Sequence, residues 1–210
     1  MDKKIDLAPI GIITYSRIEF LKKTIESLKR NPIAIKSQLY IFVDGPKDGD
    51  NLKVHNVIEY ANTIDGFERV TVSTRIGNNR SDNYFNGIGY LLKKYKKVIF
   101  LEDDNIVSSQ FLEYMNSGLD YYKDNMNILA ICGYNPPVEY ATKYKNNDHY
   151  LSSYFNAWGY ATWANRETLE IEKINSQYSE LLSNRGLYSK IKRKHPRLIG
   201  GLKLINERKL

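Results

Sequence analysis

Over the first 132 residues, short apolar runs alternate with segments of helical spacing, and few folds accept that order. Ile10-Gly11-Ile12-Ile13-Thr14 reads as a buried strand, and Ile18 to Arg30 follows as a helix with Leu21, Ile25 and Leu28 on one face. Asn31-Pro32 ends that helix. Leu39 to Val43, Val70 to Ser73 and Val98 to Leu101 read as further strands, with helical patterns from Leu52 to Ile64, around Tyr84 to Leu92 and around Leu112 to Tyr122. Ile128 to Cys132 closes the series. Helices of crossover length between strands predict a parallel arrangement. Runs apolar on both faces predict helices covering both sides of the sheet. The expectation is an α/β fold, Rossmann-like, with a mostly parallel sheet flanked by helices. Past Gly133 the rhythm breaks, and residues 134 to 165, rich in Tyr, Asn, Pro and Trp, predict an irregular lobe on the sheet before a helical tail.

At 210 residues and 42% hydrophobic composition the chain suits one well-buried domain. No apolar stretch approaches the ~20 residues that span a bilayer. The N-terminus, Met1 to Asp6, lacks the apolar block of a signal peptide, so a cytoplasmic location is expected. Cys132 is the only cysteine, which excludes an internal disulfide and a cysteine-rich zinc site. His55, His149 and His195 show no ligand spacing.

The net charge of +7 is concentrated at one end. Residues 185 to 210 hold nine of the 31 Lys and Arg and one of the 24 acids, which leaves 22 bases against 23 acids elsewhere. A nucleic-acid groove through the fold is therefore not expected. The tail reads either as a solvated basic helix or as a peripheral contact with anionic lipid at the inner face of the membrane.

In open α/β sheets ligands bind beyond the carboxyl ends of the strands. Thr14-Tyr15-Ser16-Arg17 follow the first strand, Asp44 the second, Arg75 and Gly77-Asn78-Asn79-Arg80 the third, and Glu102-Asp103-Asp104 the fourth. Three successive carboxylates repel one another when packed together, unless a cation compensates. Hard oxygen donors suit magnesium or manganese, which take one or two protein carboxylates and finish their shell with phosphate and water. An acidic turn opening the next helix is the alternative reading. Arg17, Arg75 and Arg80 near neighbouring strand ends favour a diphosphate beside a metal. Asp44 suits either a nucleobase imide or a plain turn before Gly45-Pro46. Neither Gly-x-x-x-x-Gly-Lys-Ser/Thr nor Gly-x-Gly-x-x-Gly occurs at the required place. A phosphorelay receiver would need its acids around the first strand.

From about Pro9 to Arg166 the sequence resembles glycosyltransferases of the GT-A fold, in the family 2-like group, and also N-acetylglucosaminyltransferase I. The matching pieces are Thr14 to Arg17, Asp44, the helix Asn83 to Tyr90, the block Val98 to Asp104 followed by Phe111-Leu112-Glu113-Tyr114, and Phe155-Asn156-Ala157-Trp158-Gly159-Tyr160-Ala161-Thr162-Trp163. The resemblance implies a nucleotide-binding half over 1–132, an acceptor-side segment over 133–184, and a separate basic helical tail over 185–210. It implies an inverting transfer of a sugar from a nucleotide-diphosphate donor, with UDP as carrier, to a saccharide or glycoconjugate. Glu102-Asp103-Asp104 would be the Asp-x-Asp-type motif, with Asp104 the ligand of Mn2+ or Mg2+ and Glu102 and Asp103 facing ribose and sugar. Asp44 would read the uracil edge. Thr14 and Ser16 would line the nucleotide pocket, and Arg17 would lie near the diphosphate. Asn79, Arg80 and Asn83 would lie over the nucleotide, and Trp158 and Gly159 would floor the sugar and acceptor pocket.

Such a transfer needs a carboxylate base. No Asp-Trp pairing follows Trp163, and Glu167, Glu170, Glu172 and Glu180 match no motif. A non-catalytic sugar-nucleotide binder, or a transferase shortened relative to its relatives, is therefore a second expectation. A nucleotidyltransferase is a third, although it usually carries a Gly-rich basic loop after its first strand.

Overall fold

The computed structural model describes residues 6–135, 149–152, 155–166 and 179–194. Two compact units are present, residues 1–166 and 167–210.

The first unit is a mixed, mostly parallel sheet between helical layers. Its strands are β1 (Ile10–Thr14), β2 (Gln38–Val43), β3 (Arg69–Thr74), β4 (Lys97–Glu102), β5 (Ala130–Cys132) and β6 (Tyr160–Trp163). Their order across the sheet is β3-β2-β1-β4-β6-β5. β1 to β4 pair in parallel, and only the pairs made by β6 are antiparallel. After β1 the chain builds outward through β2 and β3. It then returns to lay β4 on the other side of β1, so the direction of construction reverses between β1 and β4. At such a reversal the loops diverge and leave a crevice beyond the strand ends.

Strand alternation assigns the two faces. Ile10 and Ile12 of β1, Leu39, Ile41 and Val43 of β2, and Ile99 and Leu101 of β4 pack with α1 (Ile18–Lys29), α2 (Asn51–Asn62) and α4 (Phe111–Tyr121). Ile13, Tyr40, Phe42, Val98 and Phe100 face the other way and pack with Ile88, Leu91 and Leu92 of α3 (Arg80–Tyr95). β1, β2 and β4 are thus covered on both faces, as their unbroken apolar runs predict. β3 departs from that expectation. It is the sheet edge, and none of its residues is buried.

The segment expected to be wholly irregular contributes β6, which lies between β4 and β5. Trp163 in this strand is 6% exposed and donates its indole N–H to the Leu119 carbonyl. Arg166 stacks its guanidinium over the same ring and reaches the carbonyls of Tyr122 and Ile128. Much of the remaining lobe lies outside the described residues. In the second unit Arg185–Lys194 forms α5, and Leu181 packs with Tyr188 and Ile191. Residues 195–210 of the basic tail lie outside the described residues. No helix among the described residues is long and apolar enough to cross a membrane.

Candidate functional site

The period of two in a strand decides what becomes of the three acids. Glu102 continues the face of β4 that carries Phe100 and looks toward α3. Asp103 continues the face of Leu101 and looks toward α1. Glu102 is therefore set apart from the other two acids, whereas Asp103 and Asp104 stay close enough to share one cation, so the expected cluster of three is a pair and a single carboxylate. Both groups are matched with a cation from the nearest helix start. Arg80 at the head of α3 holds Glu102 at 2.7 Å. Arg17, just before α1, pairs with Asp103 and lies 3.0 Å from Asp104. Among the described residues no group of three or more His, Cys, Asp and Glu is placed to hold a metal ion.

Asp103 is the buried member of the three, at 3% exposure. It accepts the Thr14 hydroxyl at 2.9 Å, and its carbonyl accepts the Thr24 hydroxyl at 2.8 Å. A buried carboxylate requires such partners. Thr24 lies on the apolar face of α1 between Leu21 and Ile25, and a hydroxyl in that stripe was the available sequence signal for this contact. Asp104 is the most accessible of the three, with 36% of its side chain exposed against 31% for Glu102. Burial works against the Arg17 cation, but Asp103 and then Asp104 outweigh it and hold the guanidinium above its usual range. The Arg17 guanidinium also lies over the Phe20 ring, 5.0 Å from its centroid. Ser16 is half-buried beside it.

Asp44 is buried, and its carboxylate is already engaged. Oδ1 accepts the backbone N–H groups of Gly45 and Asn79, both at 3.0 Å. Oδ2 accepts the Asn78 amide at 3.2 Å. Arg75 stands 4.0 Å away. Asp44 is thus the anchor of the 75–79 loop, and reading a base edge would require it to give up one of these donors. Gly45 fits the same contact: a Cβ there would lie 2.6 Å from the backbone of Gly77. Asn79 caps α3, accepting from the Asp82 N–H. Asn83 is buried and donates to the Phe42 carbonyl at 3.0 Å, fastening α3 to β2.

β6 runs antiparallel to β4 with Tyr160 opposite Phe100, so the residues just before β6 reach the strand end that bears the acids. Gly159 has φ +71°, a conformation natural to glycine, and a side chain there would meet the Phe111 ring. Trp158 is 57% exposed, with Tyr134 edge-on to it at 4.8 Å between centroids. The acids, Arg17, Asp44, Arg80, Trp158 and Gly159 therefore share one sheet edge. On the α3 side of that edge lies a cavity of about 300 Å³ lined by Ile13, Arg80, Ser81, Tyr84, Phe85 and Glu102. Tyr84 and Phe85 are lining residues that sequence reasoning treated only as part of a helix.

The chain matches no protein-family model. It matches no curated protein. Among solved structures it is similar to S. aureus TarS 1-349 in complex with UDP, at 14% identity and TM-score 0.47 over 80% of this chain and 49% of that one. It is also similar to the mannosyltransferase PcManGT from Pyrobaculum calidifontis in complex with GDP-Man and Mn2+, at 12% identity and TM-score 0.41 over 62% and 38%. A third is a cytidylyltransferase from Leptospira borgpetersenii, at 13% identity and TM-score 0.43 over 80% and 63%. The chain spans 20% of the longer S. aureus TarS structure.

Proposed function

We propose that the crevice between the ends of β1 and β4 binds a nucleotide-diphosphate sugar, and that the chain transfers the sugar to a saccharide or glycoconjugate acceptor. The observation that carries this reading is the pairing of two exposed arginines, Arg17 and Arg80, with acids on either side of the reversal point. A diphosphate entering there meets guanidiniums suited to bidentate phosphate contacts. Thr14 and Ser16 flank the entry from β1, Asn79 and Arg80 from the start of α3, and Trp158 and Gly159 from β6. Asp44 and Asn83 act behind them, holding the 75–79 loop and α3 in place. UDP is the carrier that the resemblance to GT-A transferases implies.

The donor chemistry at this edge fits Mn2+ or Mg2+. Asp104 offers an accessible hard-oxygen carboxylate, and ions of this kind need only one or two from the protein. When bound, the ion would neutralise charge growing on the departing diphosphate. The chain's own share is positional and electrostatic. Arg17 and Arg80 release their carboxylates and turn to the phosphates, which lowers the cost of the leaving charge. In the inverting displacement the acceptor oxygen bonds to the anomeric carbon as the bond to the diphosphate oxygen breaks. The electron pair leaves with the diphosphate, and a carboxylate takes the acceptor proton. Glu167, Glu170 and Glu172 lie outside the described residues, and Glu180 lies in the second unit.

Titration calorimetry of UDP, with and without manganese, against wild type and Asp104→Ala tests the reading. Manganese is expected to strengthen UDP binding, and Asp104→Ala to remove that gain. Metal-independent binding that ignores the substitution would overturn the metal assignment, and absence of UDP binding would overturn the site. Binding without any turnover of a UDP-sugar would favour the non-catalytic alternative.

A further inference from the structure

At the opposite end of the sheet, two cations converge on phenols with no acid between them. Tyr40 of β2 is 2% exposed, and its hydroxyl forms the floor. Arg69, opening β3, and Lys94, in the last turn of α3, each reach that oxygen at 3.4 Å. Arg69 also contacts the Tyr95 hydroxyl at 3.4 Å and the Gln38 carbonyl oxygen at 2.8 Å. Lys94 reaches the Tyr90 hydroxyl at 3.3 Å and lies over the Tyr95 ring, 5.0 Å from its centroid. Tyr40 and Tyr95 hydrogen-bond to each other through their hydroxyls. Among the described residues neither Arg69 nor Lys94 makes an ion pair.

We propose that Arg69 and Lys94, with the Tyr40, Tyr90 and Tyr95 hydroxyls, form a second anion site that takes a phosphate group. Both cations are exposed, so a ligand reaches them from solvent, while the phenol floor is fixed in the core. The pair supplies charge from two sides and the Tyr90 phenol a neutral O–H donor, while the Tyr95 hydroxyl, which donates to the Gln38 side chain at 2.8 Å, would exchange that partner for a phosphate oxygen. The surroundings favour negative charge. Burial works against ionisation of Tyr95, yet the hydrogen bond from Tyr40 and the cations Lys94 and Arg69 together bring its phenol below the usual range. Lys93 and Lys96 beside the site add further positive charge, and the run from Lys93 to Lys97 contains no acid.

The site does not rest on the sugar-nucleotide reading. It lies at the amino-terminal ends of β2 and β3, whereas the acids lie beyond the carboxyl ends, roughly five strand residues or ~17 Å away at the usual rise. Phosphate here could come from a soluble phosphate or from a phospholipid headgroup, and one experiment separates them. The full chain is titrated with inorganic phosphate while the side-chain N–H signals of Arg69 and Lys94 are followed by NMR. In parallel, co-sedimentation is measured with phosphatidylglycerol vesicles and with phosphatidylcholine vesicles. Both arms are repeated with Arg69→Gln and Lys94→Gln, whose melting curves report folding. The expected result is movement of both signals on phosphate addition and a loss of about tenfold in affinity in each variant, as removal of one charged contact implies. If only the phosphate arm responds to the substitutions, the source is soluble. If anionic vesicle binding falls with them as well, the source is a headgroup. Unmoved wild-type signals, or variants that match wild type in both arms, overturn the site.

Discussion

Thr14 at the end of β1 donates its hydroxyl to Asp103 across 89 residues of sequence, at 2.9 Å, and both side chains are buried. This contact joins the two strands at the reversal point and fixes where the accessible neighbour, Asp104, emerges. Thr14→Val keeps the shape and removes the donor, leaving Asp103 one hydrogen bond short. A loss of about 1–3 kcal/mol in unfolding free energy is expected. Urea denaturation of wild type and Thr14→Val measures it. The double variant Thr14→Val/Asp103→Asn is expected to lose less than the sum of the two single changes.

Gly45 sits against the backbone of Gly77, and a methyl group would need space that the 75–79 loop occupies. Gly45→Ala is expected to push this loop away and break the contacts of Asp44 with Asn78 and Asn79. Faster hydrogen exchange at the Asn79 amide, relative to amides in β1, checks this. Weaker UDP binding with an unchanged strand core would place the effect in the loop.

Arg17 serves two acids at once. Arg17→Ala is expected to lower UDP affinity about tenfold or more, the usual consequence of losing a charged phosphate contact. Its effect on stability is expected to be smaller, on the order of 1 kcal/mol, because nearly half of the side chain faces solvent and water screens the pair. Arg17→Lys restores the charge but not the planar fork, so partial recovery is expected. Calorimetry and thermal melts on the same three proteins separate the two effects.

Burial raises the Cys132 thiol above its ordinary value of 9.0, and a backbone hydrogen bond from Asn156 offsets only part of that rise. The thiolate is the reactive form. Alkylation by iodoacetamide at pH 8 is therefore expected to be slower than that of free cysteine, with the rise in rate displaced to higher pH. A rate equal to that of free cysteine would show that the end of β5 is open.

β1, β2 and β4 were legible because burial on both faces writes a continuous apolar run, as in Ile10 to Thr14 and Val98 to Leu101. β6 was not. Four residues, Tyr160 to Trp163, are too few for a period, and their partner, Lys97 to Phe100, lies some sixty residues earlier. A pairing of that range leaves no local trace. At the site, the strand-end positions of Asp44 and of the acids were readable. The division of Glu102 from Asp103 follows from strand alternation alone, yet three adjacent acids look like one cluster when read as a string. The engagement of Asp44 by Asn78 and Asn79 depends on the path of a loop, which residue types do not specify. The site at Arg69 and Lys94 joins the start of a strand to the end of a helix, so neither cation announced its neighbour.

Arg17 and Arg80 begin helices that belong to opposite layers, with the sheet between them. A single ligand gripping both would rivet the layers at one rim. Its arrival would then be felt as stiffening at the heads of α1 and α3 together, although neither helix rests on the other.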